Sequence, residues 1–128
     1  TWKKINFPAD AKDILTVGSI NEQGMNAAFS AVGPTADGRI KPDVMAYGSP
    51  TSVITGRGSI INDNGTSFSS PLIAGMVACL WQALPRKTAK QIIKLVKLAS
   101  NNQQHPDNVF GYGVPDFWKA YQTGKAIK

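Results

Sequence analysis

Between Asn64 and Gly75 the chain reads Asn-Gly-Thr-Ser-Phe-Ser-Ser-Pro-Leu-Ile-Ala-Gly, which sets a serine between a glycine turn and the start of an apolar helix. A serine hydroxyl attacks a carbonyl well when it is exposed, when a base reaches its proton, and when backbone N–H groups face the developing oxyanion. A turn feeding a helix N-terminus supplies the first and third conditions. Gly65 is expected to take a backbone conformation closed to most residues, leaving Ser67 beside the unpaired N–H groups and the positive end of the helix dipole. Pro71 is expected in the first helical turn, where its missing N–H is harmless. The plainer alternative is that Ser67 or Thr66 only caps a buried helix, as Ser and Thr often do. Thr66 and Gly65 shape the turn, and Asn64 is expected to line the leaving-group side of a cleft. Phe68 either walls that cleft or fills the core.

The segment Gly65 to Gly75 resembles the serine signature of the subtilisin-like proteases. That pattern is Gly-Thr-Ser, any residue, a small residue, any residue, Pro, and then positions that close on small residues. Here Ser69 and Ala74 are the small residues, Pro71 the proline and Gly75 the closing glycine. Other anchors follow in family order. Phe7-Pro8 leading to Leu15-Thr16-Val17-Gly18-Ser19 resembles the turn and core strand ending in Val-Gly-Ala or Val-Gly-Ser. Phe29-Ser30 with Gly33-Pro34, the block Lys41-Pro42-Asp43-Val44, and Gly111-Tyr112-Gly113 before the last helix also match, with Val32 and Tyr47 departing from the usual arginine and proline. The resemblance implies an α/β fold: the C-terminal part of a subtilisin-like three-layer fold with a mainly parallel sheet flanked by helices. It also implies that residues 1–128 are the C-terminal half of such a catalytic domain.

By the same resemblance the family's Asp, His and oxyanion Asn all precede Thr1, so the expected activity is that of a serine endopeptidase acting through an acyl-enzyme on Ser67. The chain alone is expected to be nearly inert. His105, the sole histidine, lies after Ser67 in a polar, proline-containing stretch that reads as a surface loop. It is expected to have no catalytic part. Lys4 to Phe7 is expected to form part of one wall of the substrate pocket. The competing reading is a non-catalytic relative, in which the fold serves as a binding or scaffold module. An intact Gly-Thr-Ser turn speaks against it, because a pseudoenzyme has little reason to keep a strained nucleophile turn.

A hydrophobic content of 42% excludes a disordered tail. The most apolar run, Leu72 to Leu84, is too short to span a bilayer and reads as a core helix with little polar face, one that must be covered on nearly all sides. The missing N-terminal half is the expected cover, and without it marginal stability or self-association is expected. Cys79 and the tryptophans Trp2, Trp81 and Trp118 read as core or half-buried packing. Ile14 to Ile20 and Val44 to Tyr47 read as buried strands, with two more, Ser52 to Thr55 and Ser59 to Ile61, around Gly56 and Gly58. Thr88 and Gln91 form a capping box for an amphipathic helix with Ala89, Ile92, Ile93 and Val96 on one face. Lys87, Lys90, Lys94 and Lys97 fall on the other.

The net charge of +6 and that lysine face invite a nucleic-acid reading, but no aromatic platform accompanies them, so a solvated surface is expected. The expected partner is a polypeptide substrate, with no nucleic acid and no membrane span. No cofactor is expected of the chain itself. Many relatives of this kind bind calcium in the full-length enzyme, but no carboxylate group here suggests a site, and no ligand spacing suggests zinc. The resemblance implies an extracellular or cell-envelope location, with any signal peptide upstream.

Overall fold

The computed structural model describes residues 4–127, so Trp2 lies outside the described residues. Two strands form the floor of the fold. β1 (Val17–Asn21) and β2 (Val44–Ser49) pair in parallel, Val17 against Val44 through Ile20 against Tyr47, with an irregularity between Ile20 and Asn21. Val44, Met45 and Ala46 are all buried, the near-continuous apolar run that a strand covered on both faces requires. β1 starts later than its apolar run suggests. The N–H of Thr16 is given to Asp43 Oδ2 at 2.7 Å and its hydroxyl to the Ala9 carbonyl at 2.7 Å, so side-chain bonds hold residues 14–16 where a ladder was expected.

β3 (Thr51–Ile54) and β4 (Ile60–Asp63) form a separate antiparallel hairpin, its turn closed by Gly58 at φ 80°. The hairpin leads straight into α1 (Thr66–Ala83), which packs on β1 and β2. α2 (Ala89–Leu98) and α3 (Phe117–Ala126) pack against each other and against α1. The core joins Val44, Ala46, Ile73, Leu80, Leu84, Ile92, Leu95, Val96, Ala99 and Ala120. α2 is capped as its sequence predicts: Thr88 accepts from the Gln91 N–H, and Gln91 returns a bond to the Thr88 N–H at 2.8 Å. Replacing Thr88 with Ala should remove about 1 kcal/mol of stability, read as a lower urea midpoint, and an unchanged midpoint would show the cap to be idle. The buried face of α2 carries Ile92, Leu95 and Val96, whereas Ala89 is exposed.

The burial expected of Cys79, Trp81 and Trp118, and the free lysine face expected of α2, are corrected. α1 is apolar on all sides, yet only Ser69, Ile73 and Leu80 are buried, and Leu72, Met76, Cys79 and Trp81 are exposed. The sheet and the other two helices cover one side of α1 and leave the other open, so Cys79 does not pack in a core and Trp81 only donates its indole N–H to the Lys87 carbonyl at 2.8 Å. Trp118 is likewise exposed, resting against Tyr121. Nor are all four lysines of the expected basic face free surface charges. Lys97 is mostly buried and paired with Asp43 at 3.1 Å, and Lys87 Nζ donates to the Ile127 carbonyl at 2.6 Å. The basic stripe is therefore weaker than its sequence suggests.

Candidate active site

β4 ends at Asp63, Asn64 and Gly65 make the turn, and α1 begins at Thr66. The turn is tied to the floor by the Gly65 N–H, which donates to the Gly48 carbonyl on β2 at 3.0 Å. The Phe68 N–H then closes the first turn on the Gly65 carbonyl at 3.0 Å. Gly65 is the N-cap, with φ 163° and ψ 146°, and no side chain caps the helix. The alternative in which Ser67 or Thr66 is merely a cap therefore does not describe this helix.

The expectation that Gly65 needs a forbidden conformation is also corrected. Its backbone is extended, and a Cβ there would meet the Phe68 ring at 3.5 Å, an ordinary contact. The glycine the geometry does require is Gly48. A Cβ on it would collide with Ser69 Oγ, Ser19 Oγ and the Gly65 carbonyl oxygen. Pro71 is displaced from its expected place as well. Because the helix opens at Thr66, Pro71 falls inside it, one turn further on, and the Ser67 carbonyl loses the N–H that residue 71 would have given it.

Ser67 is the second residue of α1 and is exposed. Together with Thr66 and Ser70 it lines a groove of about 320 Å³, whose opposite wall is Pro8, Ala9 and residues 14–17. Among the described residues no acceptor meets the N–H of Thr66 or of Ser67, as the first turn of a helix dictates. Ser67, with an exposed hydroxyl and a backbone N–H that meets no acceptor, thus lines a groove beside the positive end of the helix, and such groups can stabilise an oxyanion.

The neighbours divide. Asn64 is exposed and accepts a bond from Ser49 Oγ at 3.0 Å, while Phe68 is half-buried with its ring against Gly65. Neither belongs to the groove lining among the described residues. Lys4 and Ile5 are engaged with Val32 instead, and Phe7 is exposed. The wall that faces Ser67 across the groove is Pro8, Ala9 and residues 14–17. His105 is exposed in a separate groove with Asn101, Asn102 and Lys119, and is not brought to Ser67.

The groove wall is anchored by charges that sequence reasoning passed over. Asp43 is 2% exposed and accepts from Lys41 Nζ at 2.6 Å as well as from the Thr16 N–H. Lys41 Nζ also reaches the Ile14 carbonyl at 3.1 Å. Arg39 Nη2 holds the Asp10 carbonyl at 2.8 Å, and its guanidinium, with the Thr35 hydroxyl, draws the Asp37 carboxyl down to about 2. The available signal was the Lys-Pro-Asp-Val block itself, which places a lysine and an aspartate at the mouth of a buried strand, where an unpaired charge cannot remain. Among the described residues no three His, Cys, Asp or Glu side chains group as metal ligands, and no helix is long and apolar enough to cross a membrane.

Residues 1–113 match the Peptidase S8, or subtilase, family. The chain is 37% identical over 98 residues to the subtilisin-like protease SBT6.1 of Arabidopsis thaliana, covering 70% of this chain and 9% of that protein. It is 32% identical to the membrane-bound transcription factor site-1 protease of Homo sapiens, covering 97% of this chain and 13% of the relative. Among solved structures it is similar to MycP1 from Mycobacterium smegmatis, with a TM-score of 0.69 and 29% identity over 84% of this chain and 29% of that one. The CspB protease of Clostridium perfringens, at 22% identity, shares the fold with a TM-score of 0.80 over 95% of this chain and 29% of that one. The chain thus spans less than a third of the length of each of these relatives. With the family match running through the strands, the serine turn and the loop before the last helix, the chain belongs to the subtilase family.

Proposed function

We propose that this chain is the nucleophile-bearing C-terminal half of the catalytic domain of a serine endopeptidase. The observation that carries this reading is the exposed Ser67 at the mouth of α1, in a groove with unpaired N–H groups beside it. In the full-length protein Ser67 Oγ attacks the peptide carbonyl carbon while an upstream histidine, oriented by an upstream aspartate, takes its proton. The Ser67 N–H and an upstream asparagine hold the oxyanion. As the intermediate collapses the protonated histidine gives its proton to the leaving amine, and water then hydrolyses the ester on Ser67. Without those upstream groups the chain is nearly inert, since loss of one oxyanion donor alone costs about 10²–10³ in rate.

The open side of α1, with Met76, Cys79 and Trp81 exposed, is where the preceding half of the domain packs in this reading. The expected setting is extracellular or the cell envelope, in keeping with a family whose members are mostly exported.

A fluorophosphonate probe tests the proposal. Ser67 Oγ displaces fluoride from phosphorus and loses its proton to the upstream base, leaving a stable phosphonyl ester. The full-length protein should label at Ser67, and Ser67→Ala should not. A full-length protein that stays unlabelled would favour the scaffold reading.

A further inference from the structure

Ser69, two residues beyond the candidate nucleophile, carries the other hydroxyl of this turn that meets the sheet, and it points inward. It is fully buried, and its Oγ lies 2.5 Å from the Oγ of Ser19 on β1, which is also fully buried. The Ser19 N–H donates in turn to Ser30 Oγ at 3.0 Å. Gly48 on β2 lies against both hydroxyls with no room for a Cβ, and its carbonyl takes the Gly65 N–H. The opening of α1 is therefore held to each strand of the parallel pair by one bond, Ser69 to β1 and Gly65 to β2. Ser67 sits between the two fixed points.

We propose that Ser19 and Ser69 are positioning residues for Ser67, setting the height and rotation of the first turn of α1 over β1. This rests on Ser67 being the nucleophile. A matched pair of hydroxyls, or none at all, avoids leaving either serine without the partner it has here. One donates and the other accepts. If one is removed, the survivor is a buried hydroxyl without that partner, which is strongly disfavoured. The simplest relief is a shift of the turn that admits water or finds another acceptor, and such a shift carries Ser67 with it. If both are removed, no orphan is left, and the turn settles back on its Gly65 to Gly48 bond.

The experiment uses the full-length protein and compares Ser19→Ala, Ser69→Ala and the double variant. It reads the rate of fluorophosphonate labelling at Ser67 at a temperature where circular dichroism shows each variant folded, and urea unfolding alongside. Each single variant should label about tenfold more slowly, since displacing a reacting group by a fraction of an ångström has effects of that order. The double variant should recover to within about threefold of the parent, because paired removal of buried hydrogen-bonding groups is close to neutral. Where Ser69→Ala is too unstable, Ser69→Cys, which keeps a weak donor of similar size, should label at an intermediate rate.

Folded single variants that label at the parent rate would overturn the proposal and reduce the pair to a stability contact. A double variant slower than both singles would overturn it too. A parent protein that never labels removes the nucleophile reading and this inference together. That failure is told apart from the pair's own because non-additive unfolding of the three variants is read without any chemistry at Ser67.

Discussion

Asp43→Ala should unfold this chain, or nearly so, while Lys97→Ala should barely disturb it. The Asp43 carboxylate is 2% exposed and takes three charged or polar donors: Lys41 Nζ at 2.6 Å, Lys97 Nζ at 3.1 Å and the Thr16 N–H at 2.7 Å. Lys41 is itself buried, with 3% of its side chain exposed. Truncating Asp43 would strand that ammonium in a dry site, facing only the Ile14 carbonyl and the Thr16 hydroxyl. Breaking a buried pair in this way costs about 3–5 kcal/mol, a large part of the roughly 5–15 kcal/mol available to a whole domain.

The same residue is also a main-chain junction. Its N–H goes to the Thr16 carbonyl at 2.8 Å and its carbonyl accepts from Tyr112 at 2.7 Å, so water cannot enter the gap without parting β1 from the loop before α3. Lys97 differs because 27% of its side chain is exposed and it rests over the Tyr112 ring. Its removal leaves Asp43 with Lys41 and Thr16, so the carboxylate keeps a buried cationic partner and the loss should be small beside that of Asp43→Ala. Urea denaturation of the full-length protein would read the difference. Equal midpoints for the two variants would show that burial of the Lys41–Asp43 pair carries no special weight.

That pair shows where reading the sequence succeeds and where it stops. Local grammar was legible. Thr88 and Gln91 announce a capping box that is present on both sides, and Asn64 to Ser67 announces a turn opening a helix. Contacts between residues remote in sequence were not. The Lys-Pro-Asp-Val block could be matched to a family but gave no hint that Asp43 binds both Thr16 and Lys97, because those partners come together only once β1, β2 and α2 are packed. For the same reason Lys97 looks like one more surface lysine when only its helical phase is considered.

Pro71 and Gly65 fail differently. Their rules concern the boundary of α1, and a helix that opens at Thr66 moves Pro71 one turn inward and puts Gly65 in an extended cap. α1 also carries apolar residues on every side, and its composition says that cover is needed without saying which side has it. The sheet and its neighbouring helices cover Ile73 and Leu80, and Met76, Cys79 and Trp81 are left open. Of the residues named from the sequence, Ser67 and Thr66 line the groove, while Asn64 and Phe68 do not. The groove's opposite wall at Pro8, Ala9 and residues 14–17 and its support at Ser19 and Gly48 are products of the fold.

Ser67→Ala in the full-length protein should abolish turnover while leaving stability untouched, the reverse of Asp43→Ala. Ser67 is exposed, and among the described residues its hydroxyl has no hydrogen-bond partner, so its loss should change unfolding by no more than about 0.5 kcal/mol. The backbone N–H of residue 67 survives the substitution, and with it the oxyanion donor. Activity should nevertheless fall by a factor on the order of 10⁶ in kcat, the figure removal of the nucleophile costs in subtilisin, a member of the same family. What remains, roughly 10³–10⁴ over water, is what binding and the oxyanion donors give without a nucleophile. Ser70 is the control. It lines the same groove one helical turn-step away and is exposed, so a general disturbance of the groove would show in Ser70→Ala as well, whereas loss of a specific nucleophile leaves that variant within a few-fold of the parent. Measured peptidase turnover that persists in Ser67→Ala, or that falls equally in both variants, would remove Ser67 from the chemistry. Turnover lost in Ser67→Ala together with a lower unfolding midpoint would instead mean that this hydroxyl is engaged in holding the turn, and the free, solvent-facing nucleophile would have to be sought elsewhere.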